Sequence, residues 1–198
     1  MLKKIAVFVS GGGTDLQSVI DAVNHGSING EIVLVVSNRK NAYGLTRAKN
    51  AGIETAVVKK DDQLLVKMLQ ERNVDLIVLA GYLAILTDVL IDAYPNKIIN
   101  IHPSLIPSFC GPGFYGMHVH ESVLNKGVKV TGATVHFVTG EVDGGPIILQ
   151  EACNIDDLDN AEDIQKRVLE IEHQLLPKAV ALFCDDRIVV ENERAKVI

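Results

Sequence analysis

The chain of 198 residues is poor in cysteine, in basic charge and in long apolar runs, and each shortage closes off a class of function. Its three cysteines, Cys110, Cys153 and Cys184, stand far apart and fit neither a disulfide framework nor CxxC metal spacing, so a reducing cytoplasm is expected. Lysine and arginine number 19 against 25 acidic residues, a formal charge of -6. The clustered cations that grip a nucleic-acid backbone are missing, and no nucleic-acid partner is expected. The longest apolar region, Leu76 to Ile91, is broken by Gly81, Tyr82, Thr87 and Asp88 and falls short of the ~20 clean residues of a membrane span. No membrane role follows from it. The early run Ile5 to Val9 stops at Ser10-Gly11-Gly12-Gly13 with no small-residue cleavage site, and reads as a buried first strand rather than a signal peptide.

What is present is enough apolar residue, 47%, to bury one sizeable core, so a single domain over residues 1–198 is expected. Strand-like runs at Ile5 to Val9, Ile32 to Val36, Thr55 to Val58, Leu76 to Leu79 and Lys97 to Ile101 alternate with helical patterns at Leu16 to Val23, Tyr43 to Ala51, Gln63 to Glu71 and Ala84 to Ala93. The strands are continuously apolar, which means that both sheet faces are covered. This predicts an α/β fold, doubly wound and Rossmann-like, with a mostly parallel sheet and helices on both faces. Beyond Phe109 come a Gly/Pro-rich loop, a short helix from His120 to Asn125, and β-rich runs at Lys129 to Val138 and Pro146 to Gln150. A helix begins near Ala161 and is expected to kink or end at Pro177, with an edge strand or frayed tail after Asp186. Sheets of this kind bind ligands at the carboxyl ends of their strands. That rule marks Ser10 to Asp15, Asn38, Gly81 and Asn100 to His102.

The loop Ser10-Gly11-Gly12-Gly13-Thr14-Asp15 leaves a strand and opens a helix, a place where backbone N–H groups and the helix dipole attract an anion. The dinucleotide fingerprint GxGxxG fails at Leu16, Ser37-Asn38-Arg39 stands where an acidic residue would end the second strand, and no P-loop is present. A monophosphate suits the loop better than a dinucleotide, although three glycines also simply make a tight turn. Asp15 would repel an anion unless it turns away, for instance to cap the helix.

Further on, Asn100, His102 and Asp143 are residue types suited to acyl transfer without a covalent intermediate: an amide and an imidazolium facing a developing oxyanion, and a carboxylate handling protons. Each also has a plainer reading, as loop-satisfying amide, half-buried histidine and turn residue. No GxSxG elbow exists for Ser104 or Ser108, and His102, His118 and His120 lack the carboxylate or cysteine that would complete a zinc spacing.

Asn100-Ile101-His102-Pro103-Ser104-Leu105-Ile106-Pro107, His136-Phe137-Val138 and Val142-Asp143-Gly144-Gly145-Pro146-Ile147-Ile148-Leu149-Gln150 together resemble the folate-dependent phosphoribosylglycinamide formyltransferases. Ser10 to Gln17, Leu79-Ala80-Gly81-Tyr82 and Glu172-His173 extend the resemblance over nearly the whole chain. It implies formyl transfer from 10-formyltetrahydrofolate to the amine of 5-phosphoribosylglycinamide, no metal, and a monomer or homodimer. It implies Asn100, His102 and Asp143 as catalytic, and Gly11, Gly12, Gly13, Thr14, Asp15 and Glu172 as substrate-binding. The folate would lie on Leu83, Ala84, Ile85, Leu86, Asn100, Val138, Thr139, Gly140 and Glu141. Residues 1–101 would then form a phosphate-binding half and 102–198 a folate-binding and catalytic half. The chain departs from the family pattern at Thr14-Asp15, where Ser-Asn is usual, and at Leu83-Ala84, where Met-Arg is common. Two other readings remain at this point: formyltetrahydrofolate hydrolase, to which Ser108-Phe109 gives some similarity, and a phosphate-ligand module without chemistry.

Overall fold

Side chains along the first strand, β1 (Lys3–Val9), alternate between two apolar layers, as a strand buried on both faces must. Ile5, Val7 and Val9 join one core, Ala6 and Phe8 the other. In the computed structural model, which describes residues 2–198, the chain continues as α1 (Thr14–Asn24), β2 (Gly30–Ser37), α2 (Tyr43–Asn50), β3 (Thr55–Val57), α3 (Asp62–Glu71), β4 (Leu76–Leu79), α4 (Asp88–Ala93), β5 (Ile98–His102), α5 (Met117–Lys126), β6 (Val130–Phe137), β7 (Ile147–Asn154), α6 (Ala161–Cys184), β8 (Ile188–Glu191) and β9 (Arg194–Val197). The main sheet runs β3-β2-β1-β4-β5-β6-β7. It is parallel through β5 and antiparallel at β6 and β7. Helices α1, α2, α5 and α6 bury their apolar sides in the first core, α3 and α4 in the second. The strand order reverses between β1 and β4, so the loops after these strands splay apart and leave a crevice at their carboxyl ends. Among the described residues, no helix is long and apolar enough to cross a membrane.

Three local expectations are corrected. The predicted helix from Ala84 begins only at Asp88, because the preceding segment is held by tertiary hydrogen bonds: the Leu83 N–H donates to the Ser10 hydroxyl at 2.8 Å, and both the N–H and hydroxyl of Thr87 donate to Asp62. Pro177 does not end α6, which continues to Cys184. A proline inside a helix costs about 3 kcal/mol. Here Leu175, Leu176, Ala179, Val180 and Cys184 are all buried around it, and each large apolar side chain contributes about 1.5–3 kcal/mol on burial, enough to carry the helix through. The tail forms neither an edge of the main sheet nor a frayed end but a separate hairpin, β8 with β9.

Candidate active site

A cavity of about 610 Å³ opens at the β1/β4 switch point. The residues that the resemblance implied as catalytic, substrate-binding or folate-binding all line it: Gly11 to Asp15, Leu83 to Leu86, Asn100 and His102, Val138 to Glu141, Asp143 and Glu172. Asn38, marked by the strand-end rule, does not. Ser10 knits its rim together. Its hydroxyl donates to Asn38 Oδ1 at 2.7 Å and accepts from Leu83, tying the loops after β1, β2 and β4.

The glycine loop ends on Gly13, whose φ of +71° is left-handed and which precedes the first turn of α1. A Cβ there would stand 2.6 Å from Gly44 Cα, so both conformation and space require glycine. The free N–H groups of that first turn face the cavity region, the usual arrangement for holding an anion. Asp15 does not cap the helix, contrary to the expectation. It turns inward, with side-chain exposure of 13% and Oδ1 3.7 Å from His173 Nε2, and neither atom has a hydrogen-bond partner. Burial raises the Asp15 pKa against the opposing pull of His173. Beside it Glu172, buried on α6, lies well above the ordinary carboxylate range because of its burial and the nearby Asp15.

A carboxyl with a raised folded-state pKa weakens the fold once the pH passes its unfolded value of 4.5. Glu172→Gln is therefore expected to raise the urea midpoint at pH 7.5, with the gain shrinking to nothing as the pH falls to 4.5. A pH-independent gain would contradict this origin.

Asn100 and His102 lie two residues apart on β5 and so share a face, with His136 and Thr134 opposite them on antiparallel β6. The His136 ring donates from Nδ1 to its neighbouring Phe137 carbonyl at 2.8 Å, an acceptor-only group, which leaves Nε2 to accept from Asn100 Nδ2 at 3.1 Å. In this tautomer the pairing sets which way the Asn100 amide points. The second N–H of that amide remains as a donor. Sequence reasoning assigned His136 no role, and its only signal was its place in the run His136-Phe137-Val138 that carries part of the family resemblance.

Asp143 closes the group from a turn in which its own φ is +56°. Its Oδ2 accepts the Gly111 N–H at 2.9 Å and lies 3.6 Å from His102 Nδ1, while Oδ1 lies 3.5 Å from His136 Nε2. Burial works against its charge, yet His136, His102 and the Gly111 N–H together hold its pKa below the ordinary value. For His102 the balance goes the other way: burial lowers its pKa despite Asp143 and the Phe109 carbonyl, which accepts its Nε2–H at 2.9 Å. The imidazolium expected from the sequence is thus not the favoured resting form. Burial likewise brings the neighbouring His120 down to about 4. His118, by contrast, sits exposed on α5 with Glu121, so the three histidines do not converge. Among the described residues no group of three or more histidine, cysteine or acidic side chains is placed to hold a metal.

The Asp143 turn is held by Gly145, where an added Cβ would collide with the Phe137 carbonyl oxygen. Gly145→Ala is expected to cost about 1–3 kcal/mol of stability through overpacking. It should also lower turnover about a hundredfold, because a shift near 1 Å in a positioned group is felt that strongly. Urea unfolding and steady-state rates measure the two effects separately.

Comparison with known proteins follows the same residues. A family model described as Formyl transferase matches residues 3–180. The chain is 41% identical over 202 residues to the phosphoribosylglycinamide formyltransferase of Haemophilus influenzae, covering 98% of this chain and 93% of that protein. It is 42% identical over 195 residues to the chloroplastic phosphoribosylglycinamide formyltransferase of Arabidopsis thaliana, covering 94% of this chain and 67% of that one. The chain thus spans about two thirds of the length of that plant relative. The crystal structure of glycinamide ribonucleotide transformylase 1 from Symbiobacterium toebii matches with a TM-score of 0.93 at 40% identity, over 100% of this chain and 94% of that chain. With a mostly parallel sheet, a cavity at its switch point and relatives that match across both, the chain belongs to the formyl transferase family, among the phosphoribosylglycinamide formyltransferases, enzymes of formyl transfer in purine biosynthesis.

Proposed function

We propose that the chain moves the formyl group of 10-formyltetrahydrofolate onto the glycyl amine of 5-phosphoribosylglycinamide. The observation that carries the reading is the meeting of Asn100, His102 and Asp143 on one wall of a cavity whose other walls hold the glycine loop and Glu172. On this reading residues 1–101 supply most of the phosphate-binding half and residues 102–198 most of the catalytic half.

The phosphate rests on Gly11, Gly12, Gly13 and Thr14 at the start of α1, and Asp15 with Glu172 receives the polar glycinamide part. The pterin lies between Leu83-Ala84-Ile85-Leu86 and the loop Val138-Thr139-Gly140-Glu141, where apolar side chains and backbone groups can read it. Leu83 at 45% and Ile85 at 81% exposure are apolar groups that such a ligand would cover.

The amine attacks the formyl carbon, a C–N bond forms, and negative charge develops on the formyl oxygen. Asn100 meets that charge with the N–H left free by His136. His102 exchanges the Phe109 carbonyl for the same oxygen; Phe109 has a φ of +50°, a costly conformation in the segment that must yield. The proton lost by the attacking amine passes through water and Asp143 to His102 Nδ1, so that Asp143 is again a carboxylate beside the imidazolium it stabilises. Collapse breaks the bond between the formyl carbon and folate N10, which leaves with a proton from His102.

Purified protein mixed with 10-formyltetrahydrofolate tests this, with folate absorbance followed in the presence and absence of phosphoribosylglycinamide. Formyl loss that requires the acceptor is the expected result. Loss without it would replace the reading with hydrolysis, and binding without loss would replace it with a non-catalytic module.

A further inference from the structure

Ser104, two residues beyond the end of β5, is completely buried and takes no part in the chemistry above. Its hydroxyl carries one proton and has two acceptors within reach, the Ser108 carbonyl at 2.6 Å and the Phe109 carbonyl at 3.3 Å. The Phe109 carbonyl already accepts the His102 Nε2–H at 2.9 Å. In the resting site each carbonyl therefore has its own donor: Ser104 serves Ser108, and His102 serves Phe109.

The loop is pinned around this hydroxyl rather than by it. Thr134 on β6 donates to the Ser104 carbonyl at 2.6 Å and accepts the Ile106 N–H at 3.1 Å, while Gln150 on β7 donates to the Ile106 carbonyl at 2.9 Å. These contacts hold the Ser104 backbone without its side chain, so the hydroxyl is free to change acceptor. The change needs only a turn of the proton about the Cβ–Oγ bond and a slight closure of the 3.3 Å gap.

When His102 gives its N–H to the reacting oxygen, the Phe109 carbonyl loses its donor, and an acceptor stranded away from water is costly. Phe109 is half-buried whereas Ser108 is exposed. Water can therefore serve the carbonyl that Ser104 leaves more readily than the one that His102 leaves. We infer that Ser104 is a positioning residue for the transfer reaction: its hydroxyl passes from the Ser108 carbonyl to the Phe109 carbonyl as His102 departs, and so releases the imidazole N–H to the formyl oxygen. The use made of that N–H rests on the transfer reading; the exchange of donors belongs to the resting fold.

Ser104→Ala removes the second donor and leaves the backbone contacts in place, so each departure of His102 then strands the Phe109 carbonyl. Solvent exchange of the His102 Nε2–H, followed by nitrogen-resolved NMR on the ligand-free protein, should slow about tenfold in the variant, the factor that one stranded acceptor is worth. A Ser104 that served only as packing support would give the opposite sign, because a loosened loop opens more often. In steady-state formyl transfer kcat should fall by a similar factor with KM little changed. The same substitution in a His102→Ala background should cost nothing further, since no N–H remains to be released. Ser104→Cys, whose thiol is a weaker donor, should give a smaller change in both readouts, and it carries the tests if the alanine variant fails to fold. Exchange that is unchanged or faster, or a rate loss equal in both His102 backgrounds, overturns the inference. Slowed exchange in a protein that shows no acceptor-dependent formyl loss would uphold the exchange of donors and remove the transfer reading instead.

Discussion

Asp143→Asn is expected to lower kcat for formyl transfer by about a thousandfold, within the range for loss of a positioned acid–base group, while acceptor binding stays within a few-fold. The change is small in shape. Asparagine tolerates the left-handed backbone at this position, and its Oδ1 can still accept the Gly111 N–H. What disappears is charge. Asp143 ionises more readily than an ordinary aspartate, while burial makes His102 harder to protonate, so the carboxylate is the main support for an imidazolium that appears during the reaction. Without it, neither the amine proton nor the charge on His102 has a place to go. Rapid-mixing measurement of one turnover, beside an acceptor titration, separates chemistry from binding. Turnover within tenfold of the unaltered protein would remove Asp143 from the mechanism.

Asn100→Ala is expected to cost 10²- to 10³-fold in kcat, about 2.7–4 kcal/mol of barrier, as for other single oxyanion donors. Because the contact forms mainly in the transition state, kcat and kcat/KM should fall together with KM little changed. A rise in KM alone would mean that Asn100 only binds the donor. The truncation also strips His136 Nε2 of its donor at 3.1 Å, so His136→Asn provides a companion variant. If the role of His136 is to hold the amide, that variant should show a smaller loss in the same parameter.

Much of this was legible because the chemistry is placed by rules that act along the chain. Parallel strands buried on both faces must be continuously apolar, which made β1, β2, β4 and β5 readable. Ligands gather where such strands end, which pointed to Gly11 to Asp15 and to Asn100 and His102 before any coordinates. The misreadings share a cause. The segment Ala84 to Thr87 has a helical pattern, but it is pinned at its ends by hydrogen bonds from the preceding Leu83 to Ser10 and from Thr87 to Asp62, at separations of 73 and 25 residues, and no local pattern reports them. Pro177 obeys its local preference only where burial does not outweigh it.

The sequence by itself determined the doubly wound layers, the glycine turn into α1 and the residue types able to perform acyl transfer, since these follow from apolar periodicity, backbone freedom and functional-group chemistry. Only the tertiary structure decided the protonation balance of the site. Asp143 reaches His102 from 41 positions further along the sequence, His136 orients Asn100 through strand pairing, Phe109 occupies the His102 N–H, and Asp15 turns inward to Glu172 and His173. Charge and proton affinity depend on burial and on partners within a few ångströms, and those distances exist only once the chain is folded.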